Sequence, residues 1–81
     1  MPLSAGELGR LRWHCRRGMK ELDVLLERWL REAAPTASTE QLSAFEQLLA
    51  LQDPQLARYL LAGEPHPDPI TASLIERLRH P

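Results

Sequence analysis

The side chains able to do covalent or acid–base chemistry are few: one cysteine, Cys15, and three histidines, His14, His66 and His80. Nucleophilic catalysis needs a base within hydrogen-bond reach of the sulfur. His14 and Cys15 are neighbours, so on a helix their side chains diverge by about 100° and cannot pair. His66 and His80 fall in a connection and near the C-terminus. A zinc site repeats its ligands at spacings such as C-x2-C with H-x3-H, and no such spacing occurs. There is no glycine-rich phosphate loop. These residues imply no catalytic residue, no metal and no enzyme. Cys15 is expected to pack in a core as a small apolar group, with the histidines in solvent.

A second polar cluster, "RRGMKELD" at residues 16–23, sets Gly18 among charges ahead of the most regular helical pattern in the chain. Arg10, Arg12, Arg16, Arg17 and Lys20 are half of the ten lysines and arginines, with no acid between them. The net charge is only −1, so no global field steers the molecule to nucleic acid. A groove-reading helix would be basic, whereas the one after Gly18 carries Glu21, Asp23, Glu27 and Glu32, which repel phosphate. Trp13 lies about 140° from Leu8 on a helical wheel. Off the apolar stripe, it is either an interface anchor or packed on the edge of another helix.

Two readings fit the cluster. In the first, Gly18 is the N-cap of the second helix and Glu21 its third residue, reaching back to the cap amide and complementing the helix dipole. That explains two residues but leaves Arg16 and Arg17 crowding a positive helix end. In the second, the first two helices are nearly continuous. Trp13, Arg17 and Glu21 then form a row on one surface, and Gly18 lets a partner's backbone approach closely.

Five helices must position these residues, giving an all-α fold, a compact bundle of five short helices in one domain over 1–81. Ser4 and Glu7 make a capping box for a helix over 4–16, with Leu8, Leu11 and Cys15 on one stripe. Leu22, Leu25, Leu26, Trp29 and Leu30 mark a helix over 19–33, with Glu27 and Arg31 paired at i, i+4. "AAPTAS" breaks the chain, and Ser38 with Gln41 caps a helix over 39–51 carrying Leu42, Phe45, Leu48 and Leu49. Asp53-Pro54 reads as N-cap and first helical residue of a short helix with Leu56, Tyr59 and Leu60, closed by Gly63 in a left-handed position. "EPHPDP" is a stiff connection. Asp68-Pro69 repeats the start signal for a helix with Ile70, Leu74, Ile75 and Leu78. No strand pattern occurs.

Charged residues at 26% and apolar residues at 43% are ordinary for a folded globular chain. At 81 residues the chain is too small for a large private cleft. A single cysteine excludes an internal disulfide and fits a reducing compartment. No apolar run approaches the ~18 residues of a membrane span. The N-terminus lacks the apolar segment of a secretory signal.

"WHCRRGMKELD", an amphipathic helix after it, and later "DPQLARYLLAGEP" resemble the flavinator family of succinate dehydrogenase assembly factors. The resemblance covers roughly residues 10–79. The family's R-G-x-x-E motif is met by Arg17, Gly18, Met19, Lys20 and Glu21, with Trp13 and Asp23 in the flanks. The resemblance implies a five-helix domain without catalysis of its own. It would bind the flavoprotein subunit of succinate dehydrogenase, or of fumarate reductase, and promote covalent attachment of FAD to a histidine there. The chemistry would belong to the flavoprotein, and no FAD would be held stably by this chain. Carried over by position, Trp13, Arg16, Arg17, Gly18, Glu21 and Asp23 form the partner-binding surface. A monomer in a bacterial cytoplasm is expected. The competing reading is a small nucleic-acid-binding or antitoxin-like regulator using the basic segment 10–20.

Overall fold

At the starts of two helices the cap expected from the sequence forms. Ser38 Oγ accepts the Gln41 N–H at 3.1 Å and Gln41 Oε1 accepts the Ser38 N–H at 3.0 Å, closing the expected capping box. Asp68 Oδ2 accepts both the N–H and the hydroxyl of Thr71. These bonds satisfy amides that a helix start leaves without partners. The computed structural model describes residues 5–80. The Ser4 cap lies outside them.

The helices are α1 (Ala5–His14), α2 (Lys20–Glu32), α3 (Thr39–Leu49), α4 (Asp53–Leu60) and α5 (Pro69–Arg79), with a single 3-10 turn at Ala34–Thr36 between α2 and α3. The fold is all-α, and there is no strand among the described residues. α5 is the hub, packing on α2, α3 and α4, while α1 packs on α2.

The core is assembled from the stripes. Leu11 and Cys15 from α1 and its end meet Leu22, Leu26, Trp29 and Leu30 from α2. Phe45 and Leu48 of α3, Leu56 and Leu60 of α4, and Leu74, Ile75 and Leu78 of α5 complete it. The Trp29 and Phe45 rings stack with centroids 4.4 Å apart, a geometry worth about 0.5–1.5 kcal/mol beyond burial. Ile70 stays 39% exposed, off the core side of α5.

Several local expectations are corrected. α1 ends at His14, two residues early, where the Cys15 N–H is shared between the carbonyls of Leu11 and Arg12. α3 stops at Leu49 rather than 51. Asp53 is the first residue of α4 and Gln52 is its N-cap, so the Asp53 carboxylate is not engaged as a cap. Arg31 pairs with Glu32 at 3.4 Å instead of with Glu27. His66 is not simply solvated: its Nδ1 accepts the Asp68 N–H at 3.0 Å and its ring lies 5.0 Å from that of Tyr59.

Candidate functional site

The junction between α1 and α2 holds every residue singled out from the motif. It is a turn over 15–19, so α1 and α2 are separate helices and the row Trp13–Arg17–Glu21 does not form. Gly18 makes the turn. Its φ is +82°, a left-handed conformation that glycine adopts without the penalty of a Cβ. It is not the N-cap. Met19 holds that place with extended backbone and no side-chain cap bond, which puts Glu21 at the second helical position rather than the third. The capping-box reading of Gly18 and Glu21 therefore fails. An atom added at Gly18 would meet nothing within 4 Å, so the backbone conformation, not crowding inside the fold, calls for glycine.

The turn divides the six residues into two sets. Arg17 and Asp23 face inward. The Arg17 N–H donates to Asp23 Oδ1 at 2.7 Å, bridging across Gly18. The Arg17 side chain is only 15% exposed. Its Nη1 donates to the Leu51 carbonyl at 3.0 Å and lies 3.6 Å from Asp53 Oδ1, while Nη2 donates to the Leu49 carbonyl. The Leu49 carbonyl belongs to the end of α3, one of those a helix leaves unsatisfied. Arg17 Nε is buried without a partner. One guanidinium thus ties the α1–α2 turn to the end of α3 and the start of α4.

Trp13, Arg16, Gly18 and Glu21 face outward. Trp13 is 74% exposed, the most exposed large apolar residue among those described. Arg16 and Glu21 are exposed and make no side-chain bond within the described residues. Of the two readings open for Trp13, packing on the edge of a helix is excluded by this exposure. Trp29, by contrast, is 6% exposed.

The basic segment is also divided. Arg10 pairs with Glu46 of α3 at 3.2 Å and Arg17 with Asp53. Arg12, Arg16 and Lys20 make no ion pair among the described residues and remain at the surface. His14 Nδ1 sits 2.8 Å from the Arg10 carbonyl. Since a carbonyl only accepts, Nδ1 is the donor in this contact.

Two features escaped the motif-based reading. Val24 is 50% exposed and lies three residues after Glu21, on the same side of α2. Its signal was its displacement from the leucine stripe, about 200° from Leu22. The Arg17–Asp53 pair had no local signal, since its members are far apart in sequence.

Covalent chemistry finds little support here. Cys15 is fully buried, and burial, aided by Glu27, pushes its thiol up from 9.0 to about 12. It is a neutral thiol at physiological pH, and the thiolate is the nucleophile. No group of three or more potential metal ligands occurs among the described residues, and no helix among them is long and apolar enough to cross a membrane.

Known proteins of one family match the chain along most of its length. The family profile described as flavinator of succinate dehydrogenase matches residues 9–81. A protein of Methylococcus capsulatus named FAD assembly factor SdhE is 45% identical over 71 residues, 88% of this chain and 86% of its own. The protein of the same name from Shewanella oneidensis is 38% identical, covering 89% and 88%. That from Haemophilus ducreyi is 33% identical, covering 86% and 85%. No solved structure matches at comparable significance.

Proposed function

The chain belongs to the flavinators of succinate dehydrogenase, and from that membership we propose how its surface does the work. It is an assembly factor for the covalent flavinylation of succinate dehydrogenase. Its docking face on the flavoprotein subunit is formed by Trp13, Arg16, Gly18 and Glu21, extended along α2 by Val24.

One observation carries this reading. A tryptophan 74% exposed ends α1, and across the turn Arg16 and Glu21 are exposed with no side-chain partner among the described residues. Tryptophan and arginine are the residue types that dominate interface energetics, and a free carboxylate offers directional charge-assisted bonds. Leaving so large an apolar side chain in water has no folding rationale.

The factor contributes binding, not bond-making. Its one thiol is buried and protonated, and His14 has one ring nitrogen held by a backbone carbonyl. Attachment of FAD to a histidine then proceeds on the flavoprotein, held by this chain in a competent conformation. The chain retains no FAD itself. It acts as a monomer in the bacterial cytoplasm and serves the fumarate reductase flavoprotein through the same face. With Arg17 turned into the fold and Arg10 paired with Glu46 at the surface, the basic segment is a poor phosphate-binding array, which speaks against a nucleic-acid partner.

The test is a deletion strain complemented with the wild type or with Trp13→Ala. Denatured succinate dehydrogenase flavoprotein is examined for covalent flavin fluorescence in a gel. Wild type restores the band and Trp13→Ala does not. A full band from Trp13→Ala at normal expression would sink the docking face.

A further inference from the structure

We infer that Arg17 and Asp23, although part of the motif, are positioning residues: they hold the turn that presents Trp13, Arg16 and Glu21 and do not themselves touch the flavoprotein. This assignment rests on the docking face proposed above.

The argument begins with what the Arg17 side chain can still offer. A guanidinium has five N–H donors and no acceptor. Here the Leu49 and Leu51 carbonyls take Nη2 and Nη1, and Asp53 stands beside Nη1. Nε is buried. With two N–H groups on backbone carbonyls, a third buried, and the side chain only 15% exposed, Arg17 has little left to present to a partner. Asp23 is committed as well, since its Oδ1 holds the Arg17 N–H at 2.7 Å.

The two ends of the turn are held by Cys15, in the core, and Met19, packed against it, and these bonds converge on the stretch between them. Met19 has no side-chain cap bond, and nothing packs against Gly18. Glycine at a left-handed φ is permitted that conformation but not compelled to it. The bridge from the Arg17 N–H to Asp23 spans Gly18 on both sides, and the guanidinium anchors the same residue to α3 and α4. Together they select one arrangement of the turn. That arrangement sets the direction of Trp13, at the end of α1, relative to Glu21, at the start of α2. Arg16, in the adjacent position, has no such bonds and remains available.

The assignment is tested on the full chain with the succinate dehydrogenase flavoprotein subunit. Arginine side-chain N–H resonances of nitrogen-15-labelled factor are followed by NMR, with and without the flavoprotein. Arg17 Nε–H is protected from water in the free factor and keeps its chemical shift in the complex, while the Arg16 signal moves. A large shift or newly gained protection of Arg17 on binding would make it a contact and overturn the assignment. This readout uses unmodified protein, so no folding defect can obscure it. In parallel, Arg17→Gln and Asp23→Asn each weaken binding by roughly tenfold or more. The flavinylation rate at saturating factor stays near that of wild type. Lowered melting temperature with unchanged affinity would mean that the two residues serve stability alone, which also overturns it. Trp13→Ala is measured alongside: intact binding by that variant would refute the docking face itself, whatever Arg17 does.

Discussion

Arg79 lays its guanidinium over Gly63, so closely that a Cβ added there would lie 2.7 Å from Nη1. Gly63 also has φ +74°. The last turn of α5 thus lies beside the chain leaving α4. Gly63→Ala should destabilise the fold by about 1–2 kcal/mol from the left-handed backbone alone, measured by urea unfolding. Arg79 can swing aside, so adding Arg79→Ala should recover only the smaller steric part. Full recovery in the double variant would show that crowding, not backbone conformation, selects glycine.

Gly18 allows a stereochemical separation of roles. Gly18→Ala forces an L residue into φ +82° and should cost about 1–2 kcal/mol. The D-alanine analogue, made by chemical ligation at Cys15, suits that φ and meets nothing within 4 Å in the fold. It should be stable to within about 1 kcal/mol of wild type, or better, because it restricts the unfolded chain. If glycine serves only the turn, the D-alanine protein supports flavinylation fully. A stable but inactive D-alanine protein would show that the partner needs the space above Gly18.

The two tryptophans should respond in opposite ways. Trp13→Ala, at an exposed site, should change unfolding free energy by no more than about 0.5 kcal/mol. It should nevertheless weaken flavoprotein binding about tenfold or more. Trp29→Ala removes a core ring stacked on Phe45 and should cost about 3–5 kcal/mol. Binding loss in that variant should track the unfolded fraction. A large stability loss in Trp13→Ala would assign that residue to the fold.

Cys15 makes an alkaline prediction. The folded thiol titrates at about 12 instead of 9.0, so above pH 9 the unfolded chain loses a proton that the native state keeps. Stability is therefore fully present below pH 9 and falls as pH rises toward 12. Cys15→Ala should flatten that limb of the denaturation profile. At neutral pH the native thiol should resist a disulfide reagent that reacts at once with unfolded protein. Fast labelling of the folded protein would contradict the burial.

The helices and their inward faces were legible because they depend on neighbours in sequence. Leu22, Leu26, Trp29 and Leu30 repeat at the helical period, and all four are buried. Ser38 with Gln41 and Asp68 with Thr71 close bonds three residues apart. The R-G-x-x-E pattern and its flanks were legible in the same way, and they led to the family. What the linear pattern could not assign was the direction of each motif side chain. A helical wheel extended through Gly18 put Trp13, Arg17 and Glu21 in one row, but a left-handed glycine turns the chain and breaks that row. Whether an arginine faces solvent or the fold depends on acceptors brought to it from far along the chain. For Arg17 these are Leu49 and Leu51, with Asp53 beside them, and for Arg16 there are none. The sequence by itself determined which residues form the helices, the core stripes and the motif, since hydrophobic periodicity and capping are local. Only the tertiary structure decided which part of the motif faces outward, because carbonyls left unpaired at the end of α3 draw Arg17 inward and nothing draws Trp13.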